Sequence, residues 1–426
     1  MTFETVTSSG TKMVRSEIGS FPSDWPIRRL DDIAGGVSVG LVINPSTYFS
    51  ERGTIPMLLG SQVSANKIDH EAAKRITPQS NGKIPASILR AGDLVTVRVG
   101  DPGTTAVVTE GLDGCNCASM MIIRRNAAFN STWLSHVLNS PIGGSQVANV
   151  QYGTAQKQFN IGDAVGFLIP VPPKAEQDAL AAALSDIDTL IGSLEQLLTK
   201  KRQIKQGVMQ ELLTGMRRLP GCSSPWRNVQ IGQLGVFLKG AGIKRDEASS
   251  GDLPCVRYGE IYTAHSDYIR TVLSWISPTV ASTATKLQQG DLLFACSGET
   301  KEEIGKCVAF IDKFVAYAGG DIVILRPNAG VDSMFMGYML NTPTVVRQKA
   351  SRGQGDAVVH ISAAALGQIN IELPDHSEQA AISRVLADMD TALAEIEHRL
   401  TKARALKQGM AQALLTGRIR LVEAAA

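Results

Sequence analysis

Two glycine-containing stretches concentrate the side chains of this chain best suited to binding chemistry. Val150 to Gln158 (VQYGTAQKQ) carries Gln156, Lys157 and Gln158, and Arg352 to Asp356 (RGQGD) carries Arg352 and Gln354. Amides and cations on short loops donate to phosphate oxygens and meet base edges. The same residues also make ordinary solvated turns, so composition leaves both uses open. Catalytic chemistry finds less support. The string nearest to a phosphate-binding loop, Gly298 to Lys306, has six residues between its glycines instead of four and lacks the following Ser or Thr. The chain contains no GxSxG elbow, no HExxH and no Cys/His cluster at zinc spacing. Acid/base work by scattered carboxylates needs a geometry that spacing does not supply. No catalytic residue and no metal-ligand set is assigned, and the chain is read as non-catalytic.

The totals narrow the class. The chain has 426 residues, enough for two or three domains, and a net charge of only +2. A stand-alone nucleic-acid binder usually carries a clear basic excess, so here the basic residues are clustered or a partner supplies the rest. No stretch approaches the ~20 apolar residues of a membrane span, and the first residues lack the apolar core of a signal peptide. The six cysteines are sparse, and Cys115 and Cys117 form the sole close pair, read as reduced. A cytoplasmic protein is expected.

What must position any site is a repeat. Glu176 to Leu219 recurs as Glu378 to Leu421 at a constant offset, 378 − 176 = 202 residues, with about half the positions identical. Such a period far exceeds that of solenoids and implies two copies of a whole module, each a globular domain followed by a long helix. Prolines precede each copy, Ser377 is the expected N-cap of the second, and Gly215 and Gly417 stand where a left-handed C-terminal cap belongs. Leu180, Leu184, Ile187, Ile191, Leu194 and Leu198 recur as Ile382, Leu386, Met389, Leu393, Ile396 and Leu400, the 3.5-residue period of a coiled-coil seam. Beyond it the heptad falls on Lys205 and Lys407, and the apolar face is expected to shift to Ile204, Val208 and Leu212 and to Leu406, Met410 and Leu414. Acidic residues come early in each copy and basic residues late, which favours an antiparallel pair with the domains at opposite ends.

The globular parts are far more diverged, but their landmarks keep order. Gly92-Asp93-Leu94 answers Gly290-Asp291-Leu292, Leu138 to Pro141 answers Leu340 to Pro343, and Phe159 to Ile161 answers Val359 to Ile361. β-Branched runs bounded by Gly, Asp and Asn read as strands at Leu94 to Val99, Thr105 to Val108, Met120 to Ile123, Leu292 to Ala295, Cys307 to Ile311 and Ile322 to Leu325. One short helix per domain is expected, at Ser131 to Asn139 and Ser333 to Asn341. The fold class is α+β: two mainly β domains alternating with two long helices that pair as an antiparallel coiled coil, pseudo-two-fold. The divisions are 1–22, an N-terminal tail; 23–172, first domain; 173–217, first helix; 218–374, second domain; 375–421, second helix; and 422–426, a C-terminal tail.

This arrangement resembles the specificity (S) subunit of type I restriction–modification systems. The features that carry it are the Glu-Gln starts at Glu176 and Glu378, Lys-Gln-Gly at Lys205 and Lys407, the Leu-Leu-Thr-Gly ends, and a Trp near each domain start. The resemblance implies two target-recognition domains that read the halves of a bipartite double-stranded DNA target. It implies helices that act as spacer and dock two methyltransferase subunits, with restriction/translocation subunits joining for cleavage. S-adenosylmethionine, ATP and Mg would belong to those partners, and none to this chain. On this reading the DNA-binding candidates are Lys67, Arg75, Arg98, Gln156, Lys157 and Gln158 in the first domain. In the second they are Lys244, Arg245, Arg257, Lys301, Arg352 and Gln354. The docking candidates, identical in both helices and off the apolar seam, are Glu176, Gln177, Asp186, Asp188, Lys205 and Gln206, with Glu378, Gln379, Asp388, Asp390, Lys407 and Gln408. A specificity subunit of a related phage-defence methylation system and a coiled-coil adaptor that reads no DNA are the alternative readings.

Overall fold

The computed structural model describes residues 3–7, 12–154, 156–355 and 358–423. It divides into two compact units, Met1–Glu195 with His398–Ala426, and Gln196–Glu397. Each unit thus holds one globular domain, half of one long helix and the complementary half of the other.

In the first unit an antiparallel sheet runs in the order Thr105–Val107, Leu94–Val97, Met120–Ile123, Val37–Val39. The two middle strands are buried at every residue, which is why they read as β-branched and apolar runs and not as alternation. A smaller sheet pairs Asn116–Cys117 parallel to Ile55–Leu58 and adds Arg75–Ile76 at its edge. The second unit repeats the order with Cys307–Ala309, Leu292–Ala295, Ile322–Pro327 and Gly235–Lys239. Its smaller sheet again contains a parallel pair, Leu253–Val256 with Tyr317–Ala318. The strands expected from sequence are present: Met120–Ile123 and Leu292–Ala295 keep their expected bounds, Ile322–Pro327 runs two residues further, and the other three end earlier.

The helix count needed correction. Beside Ser131–Asn139 and Ser333–Met339, each domain has a second helix of eight residues or more, Pro141–Val150 and Pro343–Ala350, and further helices of four to six residues. Proline opens both at a position whose N–H has no helical partner, and Ser140 caps the first through Ile142 N–H. Glycine at 143 is required by packing, since a Cβ there would lie 2.1 Å from the carbonyl oxygen of Leu138.

The long helices span Lys174–Leu213 and His376–Leu414. Gly215 and Gly417 follow them at φ of 69° and 68°, the left-handed cap conformation expected. The second N-cap is Asp375 and not Ser377: its Oδ1 accepts from Glu378 N–H at 3.0 Å and from Ser377 Oγ at 2.6 Å. Those donors hold the Asp375 carboxyl down at about 2. Of the N-terminal residues, Phe3–Thr7 pairs antiparallel with Ile419–Glu423, and Met13–Ser16 forms a hairpin with Gly19–Pro22.

Within each unit the helix halves run antiparallel. In the first, Glu195 meets Arg404 at 2.7 Å and Asp188 meets Lys407 at 2.5 Å; in the second, Arg202 meets Glu397 and Lys205 meets Asp390, both at 2.6 Å. Leu180, Leu184, Ile382 and Leu386 are fully buried seam residues. The expected shift of the apolar face is wrong at its first step, because Ile204 and Leu406 are 44% and 53% exposed. The heptad position is kept instead by Lys205 and Lys407, each turned inward onto a carboxylate of the facing helix.

Candidate nucleic-acid interface and docking helices

The invariant start of each long helix is the centre of a three-residue clasp. Trp25 Nε1 donates to Glu176 Oε2 at 3.2 Å, and Arg420 Nε and Nη2 donate to Oε1 and Oε2, both at 2.6 Å. The Arg420 guanidinium also lies 5.3 Å from the centre of the Trp25 ring. The second unit repeats this with Trp226, Glu378 and Arg218, at 3.0, 2.6 and 2.6 Å. Pairing with Glu176 raises the Arg420 pKa, and pairing with Glu378 that of Arg218. Neighbouring Gln177 accepts from Asn130 N–H and donates to Pro172 O, both at 2.9 Å. Gln379 does the same with Asp332 N–H and Pro374 O, at 2.8 and 2.9 Å.

This corrects four docking candidates. Glu176, Gln177, Glu378 and Gln379 are 4%, 1%, 0% and 1% exposed, so they tie each domain to its helix and present no surface to a partner. Sequence reading missed Arg218 and Arg420, although both lie at matched positions of the repeat just past Leu-Leu-Thr-Gly.

A second polar cluster lies twelve residues, about three helical turns, further on. In the second unit Asp390 accepts from Lys205, from Tyr338 Oη at 2.6 Å and from Arg270 at 3.1 Å. In the first, Asp188 holds Lys407 and lies 3.9 Å from His136 Nε2. His136 is buried, and desolvation lowers its pKa to about 4 despite Asp188. Asp188, Asp390, Lys205 and Lys407 are therefore engaged inside their own units. Asp186, Gln206, Asp388 and Gln408 are the docking candidates left exposed.

The two glycine loops close alike. Tyr152 and Gln158 exchange backbone hydrogen bonds at 2.8 and 2.9 Å, and Gln354 and His360 do so at 2.9 and 2.7 Å. Gly153 and Gly355 follow the first residue of each at φ of 98° and 111°, where a Cβ would meet the carbonyl oxygen of Gln156 or Val358. Gln158 bridges to Val99, and His360 to Ser297. Hydrogen-bond register thus pairs Gln158 with His360 and Phe159 with Ile361, two residues away from the match read in the sequence. Asp356 lies outside the described residues.

In the first domain this loop gathers Arg98, Lys157 and Gln158, since Gly100 N–H donates to Lys157 O at 3.0 Å. Gln156 and Lys157 are exposed, while Arg98 Nε is turned to Phe159 O at 3.3 Å. Lys67 and Arg75 stand exposed on other short strands, Lys67–Ile68 and Arg75–Ile76, and Arg75 donates to Thr54 O at 2.9 Å. In the second domain Arg245 and Arg257 line one concavity of about 410 Å³ beside Tyr258, with Lys244 adjacent and exposed. Arg257 is paired with Glu260 at 3.1 Å. Lys301 is exposed on a separate loop, as is Gln354. The guanidinium of Arg352 is taken up by the carbonyl of Gln348 at 3.0 Å, at the end of its own helix.

Among the described residues no group of three or more His, Cys, Asp and Glu side chains is placed to hold a metal, and no helix is long and apolar enough to cross a membrane. All six cysteines are free, and burial pushes Cys115, Cys296 and Cys307 up to about 12, so they are protonated thiols at neutral pH.

Comparison with known proteins places this repeated domain, clasped to a long helix, beside specificity subunits. Residues 223–404 match the family model of the type I restriction modification DNA specificity domain. The chain is 23% identical to a Methanocaldococcus jannaschii protein assigned as the specificity subunit of the MjaX type I restriction enzyme, over 96% of both chains. It is 25% identical to the EcoKI specificity subunit of Escherichia coli K12 over 42% of this chain and 38% of that one. Its fold matches the S subunit of a type I system from M. genitalium with a TM-score of 0.61 at 13% identity, over 94% of this chain and 97% of that one. A second match, at TM-score 0.53 and 18% identity, comes from a study of type I system assembly and covers 93% and 99%. Along nearly its whole length the chain is similar to type I restriction–modification specificity subunits, the family that its repeat resembles.

Proposed function

We propose that each globular domain reads one half of a bipartite DNA target, and that the exposed helix faces dock two methyltransferase subunits. Restriction/translocation subunits join that complex for cleavage. The supporting observation is the contrast inside the repeat. Sheet order, clasp and helix ends are the same in both units, whereas the exposed loops carry different side chains. Docking two identical partners requires matched helix surfaces, and reading two different half-sites requires unmatched loops. S-adenosylmethionine, ATP and Mg are assigned to the partners and the chain itself to recognition without catalysis. The exposed DNA-binding candidates, Lys67, Arg75, Gln156, Lys157, Lys244, Arg245, Lys301 and Gln354, are proposed contacts.

The test is to express the chain with its methyltransferase partner and map methylated bases across the host genome. A bipartite motif with a fixed unread gap is the expected result. A continuous motif, or methylation that persists without this chain, would overturn the proposal.

A further inference from the structure

One loop has the same place in both domains and opposite chemistry. The strand Val37–Val39 leads into Gly40, whose N–H donates to Met120 O at 2.8 Å; Gly235–Lys239 leads into Gly240, whose N–H donates to Ile322 O at 2.8 Å. A Cβ at Gly40 would lie 2.7 Å from the carbonyl oxygen of Cys117, and one at Gly240 2.0 Å from that of Gly319, so both exits from the sheet require glycine. Each loop then enters a 3-10 turn, Pro45–Tyr48 or Arg245–Glu247. The offset is 200 residues at both ends, 240 − 40 and 245 − 45.

Between glycine and turn the contents diverge. The first loop exposes Val42 at 66% and Ile43 at 54%, two adjacent aliphatic side chains left in solvent. The second exposes Lys244 and Arg245, neither in an ion pair among the described residues. Its Ile243 is instead turned inward at a φ of 57°, a region a β-branched residue rarely occupies. Ile243 and Arg245 share the concavity with Arg257 and Tyr258. Backbone strain of this kind collects at binding sites, where the surrounding structure enforces it.

We infer that this loop discriminates bases in both domains, a step that rests on the half-site reading above. In the major groove the thymine C5 methyl is the apolar feature of a base edge, and guanine offers the paired acceptors O6 and N7. Val42 and Ile43 complement thymine methyls in the first half-site; Lys244 and Arg245 complement guanine in the second. An aliphatic pair that stays wet in the free protein gains by covering a methyl, whereas it gains nothing from phosphate.

The test uses the chain assembled with its methyltransferase, on duplexes carrying the mapped motif. Replacing thymine by deoxyuridine removes the methyl alone and leaves the protein untouched. In the first half-site this replacement weakens binding about fourfold per methyl covered, and in the second it has no effect. The V42A/I43A variant loses that sensitivity. The K244Q/R245Q variant loses roughly five- to a hundredfold in preference for guanine in the second half-site, with the first unchanged. A first half-site without an A·T pair, or a bipartite motif read identically by both variants, would overturn the loop assignment alone. A continuous motif would overturn the half-site reading with it.

Discussion

Arg420 and Glu176 lie 244 residues apart in the chain and face each other through two hydrogen bonds of 2.6 Å, Nε to Oε1 and Nη2 to Oε2. Their side chains are 10% and 4% exposed. The first half of the chain is closed by a residue from its last few, and Arg218 and Glu378 repeat the geometry 160 residues apart.

Removing one member of such a pair leaves its partner charged and buried. Glu176→Gln leaves the buried Arg420 with Asp24 as its remaining carboxylate, so it should cost up to the roughly 3–5 kcal/mol of a broken buried pair, and Glu378→Gln should cost less because Arg218 is 28% exposed. Urea unfolding of the single variants and of E176Q/R420M measures the coupling. A loss under ~1 kcal/mol would mean that the clasp is dispensable.

The cross-helix pairs Arg404–Glu195 and Arg202–Glu397 should behave differently. Their side chains are between 44% and 60% exposed, so water and salt compete for them. Glu195→Gln is expected to change stability by less than ~1 kcal/mol, and the change should vanish at 1 M salt, where the Debye length is about 3 Å.

His136 supplies a pH signature. Its folded pKa of about 4 lies below the ordinary 6.5 because burial disfavours the charged ring. Between those values the unfolded chain holds a proton that the folded chain lacks. Stability therefore rises with pH through this window and is lost as pH falls from 6.5 towards 4. The full swing is about 3 kcal/mol, at ~1.4 kcal/mol per pKa unit. His136→Gln should flatten this part of a pH series of urea midpoints; an unchanged slope would assign it to other groups. Tyr338, at the matching place of the second unit (338 − 136 = 202), carries no such dependence in this range because its pKa is raised.

Docking and folding should separate along the helices. Alanine at the exposed Asp186, Gln206, Asp388 and Gln408 is expected to leave unfolding unchanged and abolish methylation with the partner. Gln177→Ala should instead destabilise by about 1–3 kcal/mol, because Asn130 N–H and Pro172 O lose their partner. Methylation retained by the fourfold exposed variant would remove docking from this face.

Local and periodic features were open to sequence reading. The strands around Leu94, Met120, Leu292 and Ile322 show as apolar runs, and Pro170, Pro374, Gly215 and Gly417 bracket the helices. The extra helix at Pro141 was hidden because Gly143 and Gly144 break the usual pattern, Gly143 being required by its close approach to Leu138 O, and the one at Pro343 because it is only eight residues long. Arg352, an attractive loop cation in sequence, spends its guanidinium on Gln348 O, a carbonyl in the last turn of the helix it follows.

The sequence by itself determined that one construction occurs twice, that its helix halves pair antiparallel and where the helices stop. Repetition, heptad spacing and acid-before-base order act between neighbours on a helix and survive without coordinates. Which of the repeated polar residues face inward was decided only by the tertiary structure. Identity at Glu176 and Glu378 fits a docking surface or a buried clasp equally well, because each use fixes the residue. The choice falls when Trp25 and Arg420 arrive from 151 and 244 residues away to remove Glu176 from water, a long-range event that no local pattern encodes.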